Sequence, residues 1–296
     1  MSGLNKEVWI GQIMEGFYPE SSFLNYVRNM SEFVDNDKIN LAEAGVAPDV
    51  LINNTTYPVK IETREDIPIS IELDVFSTTN TIVRNAEAVE LAYDKLESVL
   101  MGHRSILQYN CARKAAHSYA PDKDGDFTPV IEATGETAGD RKRLSFVDIL
   151  ALKERYEDFD IPLEDRYLVL NPKHVTDLLM EDVKTFKNLT DLQEGKPFNF
   201  GGFNILQYSK NPAYVKGEDG KWKKAAFGAT GNLASFSFQA KEVMKADGSL
   251  VMFMRENDPE QRGTIVGFEK RFIAVPVRNK SLGAIVSPTV STSTKA

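Results

Sequence analysis

Apolar and polar residues alternate through residues 57–75. Tyr57, Val59 and Ile61 are interleaved with Pro58, Lys60 and Glu62, and Ile67, Ile69, Ile71 and Leu73 with Pro68, Ser70 and Glu72. A period of two over such runs marks half-buried strands. The polar stretch Thr63-Arg64-Glu65-Asp66 between them makes a tip, so the pattern predicts a long β-hairpin. Pro58 and Pro68 cannot donate to a ladder, which restricts these strands to edges or an exposed ribbon. An isolated ribbon is marginal in water, so its apolar face needs cover from elsewhere.

The period then changes. Val89, Ala92, Tyr93, Leu96, Val99, Leu100, His103, Ile106, Leu107 and Cys111 recur at spacings of three and four, which is one face of a helix. Asn85 is a suitable N-cap and Pro121 a stop. The predicted helix, 85–119, is roughly 50 Å long if unbroken, and Gly102 is the place for a kink. A breaker-rich loop follows over 121–143. Then come a helix at 145–158 capped by Ser145, a strand at Arg166–Leu170, and a helix opened by Asn171-Pro172. Phe198–Leu206 reads as strand with a turn or bulge at Gly201-Gly202. A helix over 233–246, a turn at Asp247-Gly248, and strands at Leu250–Arg255 and Gly267–Val277 complete the reading. Alternating helix and strand argue for a mixed α/β layer over about 145–235.

Ahead of the hairpin, Phe17, Phe23, Leu24, Tyr26, Val27, Met30 and Phe33 recur at loosely helical spacing, broken by Pro19 and by Asp35-Asn36-Asp37. They form either a short helical layer on their own domain or an arm whose apolar side chains need another surface, such as a second subunit.

Composition narrows the function classes. The chain has 296 residues, and 35 Lys and Arg against 43 Asp and Glu give a net charge of −8. That acidity argues against a protein that reads nucleic-acid sequence, though not against one that encloses nucleic acid. No run approaches the roughly 18 consecutive apolar residues of a membrane helix, and the N-terminus lacks the pattern of a signal peptide. One cysteine, Cys111, excludes an intramolecular disulfide and a thiolate-built zinc site. His103, His117 and His174 are far apart, and His103, on the helix's apolar face, reads as a packing residue. Asp122, Asp124 and Asp126 mimic the start of a calcium loop, but Phe127 and Ala133 stand where Gly and Glu are required. A solvated turn is the better reading, as is solvated charge for Arg141-Lys142-Arg143. No phosphate loop, nucleophile elbow or readable carboxylate pair occurs. The residues point to no enzyme and no cofactor.

The order of elements resembles the HK97-like major capsid proteins of tailed bacteriophages. Residues 67–107, beginning IPISIELDVF, resemble the stretch leaving the E-loop and entering the spine helix. Residues 165–182, DRYLVLNPKHVTDLLMED, resemble the A-domain strand-turn-helix, and 198–209, FNFGGFNILQYS, the strand after it. The resemblance implies an α+β fold with an N-terminal arm at 1–50 and an E-loop hairpin at 51–84. The P-domain with its spine helix begins at 85–144, the A-domain occupies 145–232, the P-domain returns at 233–286, and a flexible tail follows at 287–296. It further implies inter-subunit contacts at the E-loop tip (Arg64, Glu65, Asp66) and along the arm (Phe17, Phe23, Tyr26, Phe33).

The implied function is a shell protein, self-assembling as hexamers and pentamers of an icosahedral capsid around double-stranded DNA that it does not read. The capsid would be assembled in the host bacterial cytoplasm and reside in the virion, with no membrane. Portal, scaffolding and decoration proteins are the implied partners. Because the chain begins almost at the arm, scaffolding is expected from a separate protein or a trimmed precursor. Two other readings stay open: an encapsulin-like nanocompartment, and more remotely an α/β enzyme without a recognisable motif.

Overall fold

The computed structural model describes residues 10–11, 13–14, 17–19, 22–43, 67–84, 95–182 and 198–290. Near the N-terminus, short 3-10 turns at Phe23–Tyr26 and Ser31–Phe33 flank β1 (Arg28–Asn29), and β2 (Val34–Asp35) and β3 (Lys38–Glu43) follow. Strands β4 (Ile67–Glu72), β5 (Asp74–Ser77) and β6 (Thr81–Arg84) precede the long helix α1 (Lys95–Tyr119). Next come β7 (Val130–Glu132), β8 (Thr137–Ala138), β9 (Arg141–Lys142), α2 (Phe146–Asp158), β10 (Arg166–Leu170) and α3 (Pro172–Glu181). The remaining elements are β11 (Phe198–Phe200), β12 (Phe203–Gln207), β13 (Tyr214–Lys216), β14 (Trp222–Lys224), β15 (Leu233–Gln239), a 3-10 turn at Ala240–Glu242, β16 (Val243–Asp258), β17 (Gly263–Pro276) and β18 (Leu282–Ser287).

Two sheets share α1. A six-stranded mixed sheet runs in the order β11-β12-β10-β15-β18-β7. One face carries Tyr167, Val169, Phe236, Phe238 and Leu282 against Leu107, Cys111, Ala115 and Tyr119 of α1. The opposite face carries Leu168, Leu170, Ile205 and Ile285 against Ile149 and Leu152 of α2 and Val175 and Leu178 of α3. Alternation in β10 and β15 thus serves two cores. The second sheet is the long antiparallel pair β16–β17, with β1 on one edge and β5 and β6 on the other. Met252, Val266, Phe268, Phe272 and Ala274 face α1.

Local chemistry accounts for the helix ends. Ser145 and Asp148 form a capping box at α2. Asn171 caps α3, with Pro172 at a first-turn position where its missing N–H costs nothing. In α1, Leu100, His103, Leu107 and Cys111 are buried at spacings of three and four, and the helix runs through Gly102 uninterrupted. Ile106, read as part of the same stripe, is exposed. Asn85 and residues 85–94 lie outside the described residues, as do Tyr57–Ile61.

Four expectations are corrected. The span 233–246 read as helix is two strands joined by a 3-10 turn at Ala240–Glu242: in the first, Ala234, Phe236 and Phe238 alternate with Ser235 and Ser237, and both faces are buried. Asp247-Gly248 is a bulge inside β16, not a turn. A Cβ at Gly248 would come within 2.7 Å of Leu73 Cδ2 and 3.0 Å of Arg271 Cβ, so the strands close around a glycine there. The strand Ile67–Glu72 pairs in antiparallel register with Lys38–Glu43, a partner the alternation pattern did not reveal. Lastly, the α/β layer read over about 145–235 also takes in β7, the rest of β15 and β18, because β15 is the strand that hydrogen-bonds β10. The tail beyond Ser287 is tied back at its start, where Thr289 N donates to Asn232 Oδ1 at 2.7 Å and Val290 N to Asp140 O at 2.7 Å.

Candidate functional site

The buried polar groups were the first place for chemistry to hide. His174 is fully enclosed between α3 and the sheet. Its Nδ1 lies 2.6 Å from Ser235 Oγ and its Nε2 2.9 Å from Ser287 Oγ, so one nitrogen donates and the other accepts. Ser235 Oγ also accepts from Asn171 N at 2.9 Å. Burial depresses the imidazole pKa to about 3. This places a histidine between two serines, yet both hydroxyls are buried and no substrate reaches them; the trio fastens α3 to β15 and β18. Beside it, Arg141 makes a two-pronged contact with Asp177, at 2.6 and 2.9 Å, and Leu144 N donates to the same carboxylate at 3.1 Å. Arg141 is therefore not a solvated charge. Asp177 is buried and would be orphaned without it.

A second polar cluster lies on the β16–β17 pair. Lys270, whose side chain is fully buried, sits 2.7 Å from Asp247 Oδ1, and Tyr18 Oη donates to the same oxygen at 2.6 Å. Lys245 Nζ stands 3.8 Å from the centre of the Tyr18 ring. The pattern held a signal for this cluster: Val266, Phe268, Lys270, Phe272 and Ala274 form one face of a strand, with a single cation among apolar neighbours. Cys111, nearby in the same core, has its thiol pushed up to about 12 by burial, and no nucleophile is made there. Asp124 caps Val130 N at 3.0 Å and Asp122 pairs with Lys224 at 2.8 Å, so these carboxylates have structural work. Among the described residues, no group of three or more His, Cys, Asp or Glu side chains is arranged to hold a metal. No helix of the described residues is long and apolar enough to cross a membrane.

The surfaces remain. Of the four arm residues expected at a subunit contact, Phe17 and Phe23 are 3% and 2% exposed, covered by their own chain against α1 and the sheets. Their apolarity needs no neighbour, which corrects the expectation that they await one. Tyr26 is half-buried with its ring 5.0 Å from that of Tyr167, and Phe33 is 57% exposed. The tip residues Arg64, Glu65 and Asp66 lie outside the described residues. A groove of about 680 Å³ runs between β5–β6 and α1, lined by Val75, Phe76, Val99, His103, Ile106 and Phe227. His103 Nε2 is buried there without a hydrogen-bond partner, and burial lowers the imidazole pKa. Leu163 and Met180, 61% and 62% exposed, stand with Phe146, Val147 and Leu150 among the exposed apolar side chains of the α/β layer. Exposed apolar residues stand on other elements as well, among them Val75, Ile106, Phe227 and Phe253, and singly such residues are ordinary.

The architecture itself therefore carries the comparison: one long helix shared by an α/β layer and a long strand pair, with an N-terminal segment laid across both. The capsid of Ralstonia phage GP4 superposes on it with a TM-score of 0.63 at 9% identity, covering 90% of this chain and 88% of that one. The mature capsid of bacteriophage PhiM1 gives 0.61 at 13% identity, over 90% of this chain and 86% of that one. The chain has the HK97-like capsid fold. A virus-like particle from Pyrococcus furiosus also shares the fold, with a TM-score of 0.51 at 11% identity over 95% of this chain and 99% of that one. No protein-family model and no curated protein sequence matches the chain. The likeness lies in the path of the backbone, which survives where sequence identity does not.

Proposed function

We propose that the chain is the major capsid protein of a tailed bacteriophage, a non-enzymatic shell subunit assembling as hexamers and pentamers around double-stranded DNA. The observation that carries this reading is agreement of fold with phage capsid subunits over about nine-tenths of both chains. The apolar side chains left exposed on the α/β layer accord with it. On this reading the stretch between β3 and β4, which carries Arg64, Glu65 and Asp66, is the E-loop that reaches the adjacent subunit. Helix α1 is the spine of the P-domain, and the α/β layer is the A-domain around the capsomer centres. Within the arm, Phe33 and the open side of Tyr26 are the inter-subunit contacts. The net charge of −8 suits a wall that encloses DNA without adhering to it. Portal, scaffolding and decoration proteins complete the assembly, formed in the bacterial cytoplasm and ending as the virion capsid.

The Pyrococcus furiosus particle supports a second reading, a nanocompartment shell. Electron microscopy of the protein, expressed alone and together with its neighbouring genes, tests both. Closed shells or curved sheets of pentamers and hexamers are expected, and DNA or a cargo protein inside separates virus from nanocompartment. A monodisperse small species under both conditions would overturn the shell reading.

A further inference from the structure

The sheet that runs from β1 through β16 and β17 to β5 and β6 has two unlike edges. At one edge, β1 and the 3-10 turn after it follow β16: Met30 N donates to Lys245 O at 2.8 Å, and Asp247 N donates to Ser31 Oγ at 2.9 Å. That turn ends in Phe33, the most exposed phenylalanine among the described residues. Glu32 and Asp35, on either side of it, are exposed and make no ion pair among the described residues. An aromatic ring thus projects from this edge between two carboxylates.

At the other edge lies the 680 Å³ groove between β5–β6 and α1. Val75, Ile106 and Phe227 on its walls are all close to half exposed, although they are apolar. His103 lines it with an Nε2 that is buried and unpaired, so one hydrogen bond there is unused. The Phe227 end is basic: the Arg113 guanidinium lies 4.9 Å and Lys114 Nζ 5.6 Å from the centre of that ring. Lys114 reaches Asp74 at 3.6 Å, whereas Arg113 makes no ion pair among the described residues. None of the described residues lining the groove is acidic.

One edge therefore offers an apolar plug with acidic flanks, and the other an apolar recess with a basic end. An aromatic anchor in a pocket is the usual centre of a stable interface, and opposite charge around it sets orientation and excludes wrong partners. Plug and recess are separated by about three strand spacings, ~15 Å, so a chain cannot fill its own groove. A contact between unlike patches is head to tail, and its repetition builds a ring where the rotation closes. We propose that Phe33 of one copy plugs the β5–β6/α1 groove of the next copy, with Glu32 and Asp35 facing Arg113 and Lys114. This contact rests on the shell reading and adds to it the surface of the adjacent subunit that receives the arm.

The experiment uses full chains in which Cys111→Ala removes the one native thiol, with Phe33→Cys and Ile106→Cys introduced together or singly. The chains are assembled, imaged by electron microscopy, oxidised and run on a non-reducing gel. The chain with both new cysteines should give a ladder of disulfide-linked chains that ends at the ring size, and each single-cysteine chain should run as a monomer. A second measurement keeps the aromatic plug. Glu32→Lys should lower the yield of assembled particles about tenfold, and Arg113→Glu added to it should restore most of that loss, with the circular dichroism of each chain unchanged. Should the double-cysteine chain fail to assemble, this charge exchange decides. Normal particles without a ladder, or a Glu32→Lys yield that is undiminished or not rescued, would overturn the contact and leave the shell reading standing. A wild-type chain that forms no particles would overturn both.

Discussion

His174 ties the stability of the α/β layer to pH, and the size of the effect follows from its surroundings. In the folded chain burial holds the imidazole pKa near 3, while an exposed histidine titrates near 6.5. The folded pKa is the lower one, so the unfolded chain takes up a proton that the folded chain refuses. Stability from the neutral ring is therefore full above pH 6.5 and is lost as pH falls towards 3. At roughly 1.4 kcal/mol per unit, the loss between pH 7 and pH 4.5 is about 2–3 kcal/mol. His103 and His117 also have lowered pKa values through burial, so the wild-type chain alone does not isolate His174. The comparison with His174→Gln does. At pH 7 that variant leaves the Ser235 and Ser287 hydroxyls poorly paired, costing about 1–3 kcal/mol. Its side chain does not titrate, so by pH 4.5 the gap to wild type should shrink by about 2–3 kcal/mol, vanishing or changing sign. Urea titrations followed by the fluorescence of the buried Trp222 read this directly. A gap that stays constant between pH 7 and pH 4.5 would refute the reasoning, since the ring would then titrate alike in the folded and unfolded chains.

Arg141→Ala should destabilise the chain by about 3–5 kcal/mol, because it abandons a buried carboxylate; the double variant with Asp177→Ala should lose less than the sum of the two single changes, as measured by urea midpoints. Gly283→Ala places a Cβ 2.5 Å from Ser237 Oγ, 3.0 Å from Leu152 Cδ1 and 3.1 Å from Tyr156 Cε2. Overpacking of that kind costs about 1–3 kcal/mol, and a thermal melt unchanged from wild type would show that α2 gives way freely.

Much of the local structure was legible in the sequence. Ser145 and Asn171 announced the starts of α2 and α3, and the three-and-four spacing of Leu100, His103, Leu107 and Cys111 announced the buried face of α1. The polar clusters were partly legible: Lys270 interrupts an alternating apolar strand face, which signals a buried cation, but nothing nearby in sequence names Asp247 or Tyr18 as its company. Residues 233–246 were misread because short apolar runs suit either period, and what decides for strand is the pair of cores that bury both faces of β15.

The helix caps at Ser145 and Asn171 depend on neighbours within a few residues, so the sequence determined them alone. Which strands pair depends on contacts far apart along the chain. Tertiary structure alone decided that Ile67–Glu72 meets Lys38–Glu43 and that β15 lies beside β10. It decided too that Phe17 and Phe23 find cover in their own chain. An apolar pattern specifies that a surface must be buried, and only the assembled layers supply what buries it.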